Sequence, residues 1–131
     1  SIPSKDAPSI VFFLLEGEEH EIGLLLASFV AKEMGLNIYY LGFGVPVANI
    51  RKVIEQVRPQ LLMTMFVTPK VNKVNAFIDA ILEGNDTSFM ISGSEENLEA
   101  VTNSDQIIKV NNPSDFQQKI ESIHTEFLKK V

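Results

Sequence analysis

Cysteine is absent from this chain of 131 residues. That single absence excludes disulfides, thiolate metal sites and cysteine nucleophiles. Basic residues are few: 11 Lys and Arg stand against 17 Asp and Glu, for a net charge of -6, and no basic cluster occurs. Non-specific affinity for nucleic acid rests on basic surface, so the chain itself is not expected to grip DNA or RNA. No apolar run reaches 18 residues and nothing resembles a signal peptide, so neither membrane spanning nor export is expected, and the cytoplasm is the expected compartment. Histidine is scarce as well, with only His20 and His124. Two imidazoles without cysteine do not furnish a zinc site of the usual kind.

What is present reads as an ordinary globular domain, 45% hydrophobic and 21% charged. The length suits one core. Residues 1–8 read as a linker and 9–131 as the domain; a start at Ser1 rather than Met suggests a domain excised from a longer protein. Residues 9–15 are almost wholly apolar, as in a strand covered on both faces. A helix follows to Gly35, with Ile22, Leu25, Leu26 and Phe29 at helical spacing and Leu24, Ala27, Ala31 and Met34 on a second apolar face, so it is expected to be well buried.

Four more strand–helix pairs follow. The strands are expected at 37–42, 61–67, 87–91 and 106–110. The helices begin near Pro46, after Thr68-Pro69-Lys70 with Val71 already inward, around Leu98, and at Asn112-Pro113, where asparagine caps and proline opens the helix. Strict alternation implies a parallel sheet covered by helices on both faces. Right-handed crossovers restrict this to a doubly wound α/β sandwich, with flavodoxin-like strand order 2-1-3-4-5.

In that order the switch point lies between strands one and three, where ligands bind at the carboxyl ends. The loops after those strands are 16–20 and 68–70, with Ser92-Gly93 next door. The first holds the chain's oddest stretch, Glu16-Gly17-Glu18-Glu19-His20-Glu21-Ile22-Gly23. A neutral imidazole binds a metal through one nitrogen when the other has an acceptor, and Glu18 is placed to supply it. Gly23 lets a bulky group approach the first helical turn. Acidic residues at a helix start are also simply favourable to the helix dipole, which explains the carboxylates but not the histidine among them. Rival sites lack their residues. Only Gly17 and Gly23 stand where a dinucleotide fingerprint would follow strand one, and a P-loop lysine is missing. A phospho-receiver needs paired acids where Phe12, Phe13, Leu14 and Leu15 stand.

Glu18-Glu19-His20-Glu21-Ile22-Gly23 resembles the D/E-x-H-x-x-G motif of cobalamin-binding domains, and the likeness continues through Leu41 to Pro46 and Leu61 to Pro69. The resemblance implies a flavodoxin-like fold with His20 as lower axial ligand to cobalt, oriented by Glu18. Two elements depart from the family. Its strand-three serine, which contacts the displaced nucleotide tail, falls in Met63-Thr64-Met65-Phe66-Val67-Thr68, so that Thr64 keeps the hydroxyl or Met65 replaces it. Its Gly-Gly pair after strand four is Ser92-Gly93. The implied cofactor site comprises Glu18, His20, Gly23, Thr64, Met65, Thr68, Ser92 and Gly93, with adenosylcobalamin or methylcobalamin as cofactor.

The Glu form of the motif, and Tyr40-Leu41-Gly42, are similar to the C-terminal sensor domains of MerR-type regulators of the CarH/LitR group. That resemblance implies a non-enzymatic regulatory domain that can form homo-oligomers and meets DNA only through a separate N-terminal domain. The alternatives are a cobalamin-carrier module of a methyltransferase or mutase, and a degenerate, cofactor-free interaction domain.

Overall fold

The computed structural model describes residues 6–130. Strand β1 (Ser9–Leu15) lies between β2 (Asn37–Val45) and β3 (Leu61–Phe66), and β4 (Ser88–Gly93) and β5 (Ile107–Lys109) complete an all-parallel sheet of order β2-β1-β3-β4-β5. This is the expected doubly wound, flavodoxin-like sandwich. The alternation of side chains along β1 supplies both cores. Val11, Phe13 and Leu15 face the helices α2 (Val47–Val57), α3 (Val74–Leu82) and α4 (Glu95–Ala100), where Ile50, Ile54, Ile78, Ile81 and Leu98 close the layer. Ile10, Phe12 and Leu14 face α1 (Glu21–Glu33) and α5 (Pro113–Leu128), against Leu24, Ala31, Phe116 and Ile120. Burying each of these large side chains is worth about 1.5–3 kcal/mol.

Several boundaries move, each for a local reason. β2 runs on to Val45 instead of stopping at Gly42, because its register against β1 shifts between Phe12 and Phe13 and again before Leu15. Gly42 and Gly44 take positive φ there, at 86° and 68°. α3 starts at Val74, and Val71 lies in the preceding turn with 46% exposure instead of packing inward. Of the expected linker, residues 1–5 lie outside the described residues, while Ala7 and Pro8 are buried and their carbonyls accept from Asn37.

The largest correction concerns α1. Its inward stripe is Leu24, Ser28 and Ala31, and Ile22, Leu26 and Phe29 are 75%, 59% and 60% exposed. Both stripes have the i, i+4, i+7 spacing. Ser28 can be buried because its hydroxyl donates to the Leu25 carbonyl at 2.7 Å. That bond lets the more polar stripe take the core and leaves the bulkier one outside.

Candidate functional site

The carboxyl ends of β1 and β3 form the switch-point crevice. Main-chain pairing between these strands runs through Ile10–Leu61, Val11–Leu62 and Phe12–Met63. Beyond it, the Thr64 hydroxyl donates to the Phe13 carbonyl at 2.5 Å. Thr64 is fully buried and alternates with Met63 and Met65, so it belongs to the α2–α4 side of the sheet. Met65 packs on the α1–α5 side. Met65, not Thr64, is therefore the residue of this pair on the side of α1.

His20 is the N-cap residue of α1 and is exposed. Among the described residues its imidazole has no hydrogen-bond or ion-pair partner. Glu18 does not serve it. The Glu18 side chain is fully buried, and one carboxylate oxygen accepts from the backbone N–H groups of Val67 and Thr68, both at 3.2 Å. The other forms an ion pair and hydrogen bond with the Lys70 ammonium. The expected Glu18 acceptor for His20 is thus replaced by a Glu18 brace between the β1–α1 and β3–α3 loops. The physical reason is strength: two backbone donors and a buried cation outcompete one exposed imidazole.

Three residues that sequence reasoning did not place in the site complete this brace. Lys70, 8% exposed, also donates to the Thr68 carbonyl at 3.1 Å and sits 5.9 Å from the Phe66 ring centroid. Asn97 of α4, fully buried, donates to the carbonyls of Phe66 and Thr68 at 2.7 and 2.9 Å and accepts from the Lys70 N–H at 3.0 Å. Ser94 caps α4 by accepting from the Asn97 N–H. The capping pattern Ser94-x-x-Asn97 was a readable signal; the reach of Asn97 to another loop was not. Thr68 adds a bond from its hydroxyl to the Gly17 carbonyl at 3.2 Å.

On the α1 side the arrangement is apolar. A Cβ built on Gly23 would lie 3.1 Å from Met65 Cε and 3.2 Å from Met65 Sδ, so the methionine occupies the space that glycine leaves. Met65 pairs in register with Ser92. Gly93 has a separate reason to be glycine: at φ 145° a Cβ would meet the Phe66 carbonyl oxygen at 2.2 Å. Close approach of β4 to β3 requires it without any ligand. Nearby, the Tyr40 hydroxyl donates to Glu21 at 3.0 Å. Burial, then the Glu21 hydrogen bond and negative charge, push the Tyr40 phenol from 10.0 up to about 12.

No family model matches the chain, and no curated protein matches it. Solved structures do. A novel cobalamin-binding protein from Desulfitobacterium hafniense DCB-2 superposes with a TM-score of 0.74 at 23% identity, over 88% of this chain and 58% of that one. The methanol:cobalamin methyltransferase complex MtaBC from Methanosarcina barkeri gives 0.74 at 19% identity, over 95% and 49%. The chain shares their fold. The monomethylamine corrinoid protein of Methanosarcina barkeri gives 0.71 at 18% identity, over 88% and 57%. The chain thus spans between about half and three-fifths of the length of the structures it resembles.

The residues present fit a corrinoid in part. Among the described residues no group of three or more His, Cys, Asp or Glu could hold a bare metal ion. A corrin supplies four nitrogens of its own and asks one axial donor of the protein, which an exposed imidazole can be. The fit fails one turn further along α1, where Met65 fills the space beside Gly23. No described helix is long and apolar enough to cross a membrane.

Proposed function

We propose that this chain is a cobalamin-binding domain in which His20 is the lower axial ligand to cobalt. One observation carries the reading: the imidazole stands exposed and, among the described residues, without a partner at the N-terminus of α1, at the carboxyl end of β1. The likeness in fold to a cobalamin-binding protein and to a corrinoid protein supports it. When bound, the corrinoid would supply a cobalt–carbon bond as the chemically responsive element. The chain's own part is to present one nitrogen and to hold the loops around it still. Glu18, Lys70, Thr68 and Asn97 do the second task, and His20 does the first.

The domain serves in this reading as the non-enzymatic sensor module of a MerR-type regulator, with adenosylcobalamin or methylcobalamin as its signal and DNA contacted by a separate domain. The Glu18-x-His20 form of the motif and Tyr40-Leu41-Gly42 support that choice. The fold shared with the methyltransferase complex favours a carrier module as the second reading. A carrier module would present its bound corrinoid to a partner methyltransferase, whereas a sensor module would retain it and respond to its upper ligand.

The deciding experiment for both readings is an absorption spectrum of the protein mixed with methylcobalamin. Ligation by histidine should appear in wild type and vanish in His20→Ala. Identical spectra from the two proteins would refute the assignment of His20, and no binding by either would leave an interaction domain without cofactor.

A further inference from the structure

The two edges of the sheet are finished differently. β5 is three residues long, and the carbonyl of its last residue, Lys109, already accepts from the Lys119 ammonium. Short length and lysine are common means of keeping a strand edge from pairing with another chain. β2 has neither. It is nine residues long, pairs with β1 alone, and contains no charged residue and no proline. Its ladder to β1 is regular from Asn37 to Tyr40, and the register shifts come only after that. Tyr39 alternates with Ile38 and Tyr40, so it lies on the face opposite α1, where it is 42% exposed. Apolar surface is concentrated beside this edge. Among the described residues seven large apolar side chains are exposed, and five of them, Ile22, Leu26, Phe29, Tyr39 and Phe43, stand on α1 or β2. Their exposed parts amount to roughly 500 Å² per copy. Two copies meeting there would bury about 1,000 Å², the minimum for a specific interface, before the strands themselves are counted.

We propose that β2 is the pairing edge of a homodimer, in which two copies join their sheets through antiparallel contact between their β2 strands. The inference is independent of any role for His20. A second copy is the occupant because the edge complements itself: across a two-fold axis each antiparallel strand offers the peptide groups that the other needs. An axis through Tyr39 keeps the pairing within the regular stretch, with Tyr39 opposite its copy and Ile38 opposite Tyr40 of the second copy. No charge on β2 meets its like there, although the chain carries a net -6. The helices agree with this geometry. α1 packs on both β1 and β2. Strands lie about 4.8 Å apart, so α1 and its copy would stand about 10 Å apart across the axis, the ordinary spacing of packed helices. The flank of α1 turned to β2 is marked by Glu21, which accepts from Tyr40, and the opposite flank by Gly23, which meets Met65. Leu25 and Phe29 continue the Glu21 row at four-residue intervals and would close the seam.

Sedimentation equilibrium of the chain over a range of concentrations tests the proposal. Wild type should reach the mass of two chains. Tyr39→Lys sets like charges opposite one another, and Phe29→Glu does so between the helices. Each should raise the dissociation constant at least about tenfold, as loss of one anchor residue does. Both positions are exposed, so the variants should keep the wild-type far-ultraviolet circular dichroism. The absence of cysteine supplies a second measurement. Opposed residues of antiparallel strands have Cα atoms about 4.5–5.5 Å apart, within disulfide reach. Tyr39→Cys treated with the thiol oxidant diamide should therefore cross-link into two-chain species. Val71→Cys, exposed in the turn before α3, should not. A wild-type chain that keeps the mass of one copy at every concentration overturns the proposal. A dimer that survives Tyr39→Lys, or that cross-links equally through Val71→Cys, overturns it too, because its interface lies elsewhere.

Discussion

Separating the Glu18–Lys70 pair is the most demanding perturbation this structure invites. Both side chains are shielded, at 0% and 8% exposure, so each charge depends on its partner. Removing one member of a buried pair costs about 3–5 kcal/mol because the other is left uncompensated. The two singles should differ. Lys70→Met leaves Glu18 with the Val67 and Thr68 N–H donors, which places it near the low end, about 3 kcal/mol. Glu18→Ala strands the ammonium and also orphans those two N–H groups, each worth about 1 kcal/mol or more, so it should reach about 5 kcal/mol. Against a total stability of about 5–15 kcal/mol, this single change could unfold the domain. The double variant Glu18→Gln, Lys70→Met removes both charges while an amide oxygen can still accept from the loop. It should be more stable than either single. Urea unfolding followed by far-ultraviolet circular dichroism measures Glu18→Ala, the double variant and its two component singles, Lys70→Met and Glu18→Gln. A double variant at least as unstable as the sum of Lys70→Met and Glu18→Gln, within about 0.5 kcal/mol, would show that the two charges do not sustain one another.

Two further outcomes concern the same neighbourhood. Gly23→Ala should gain up to about 1 kcal/mol of helix propensity, offset in wild type by crowding against Met65 at 3.1 Å and released in full in a Met65→Ala background; urea midpoints of the four proteins give the coupling, and strict additivity would refute the contact. For Tyr40, the folded state holds its proton to about pH 12 whereas the unfolded phenol releases it near 10.0. Above 10.0 the folded state therefore binds more protons, and stability should fall as pH rises from about 10 to about 12. Tyr40→Phe should flatten that part of the stability–pH curve, and an unchanged slope would remove Tyr40 as its source.

The architecture was legible because β1 is apolar on both faces and each helix carries a clear start or stop. Pro46 and Asn112-Pro113 mark starts that the structure reproduces within a residue or two. The orientation of α1 was not legible. Both apolar faces were expected to be buried, and spacing alone did not show that only the side of Leu24 and Ala31 would be, with Ser28 satisfied by the Leu25 carbonyl. In the site, the positions at the switch point were readable from topology, but the partners were not. Glu18 is two residues from His20 in sequence and bonds Lys70, 52 residues away. Spacing along a chain says which groups can meet locally; it carries no information on a lysine that arrives from another loop. The face of Met65 likewise depended on a single residue of register, which only the pairing of β3 with β4 fixes.

The seam between β1 and β3 changes its nature along its length. Its amino half is stitched by peptide groups, which every residue type carries. Its carboxyl half is stitched by the Thr64 hydroxyl, the Glu18 carboxylate and the Lys70 ammonium. The first half is therefore indifferent to substitution, whereas the second can be rewritten one codon at a time. Loss of the Thr64 hydroxyl alone would free the Phe13 carbonyl and let the two strand ends part. The width of the mouth is in that sense inherited residue by residue, and chains with this strand order can come to admit different guests without any change of topology.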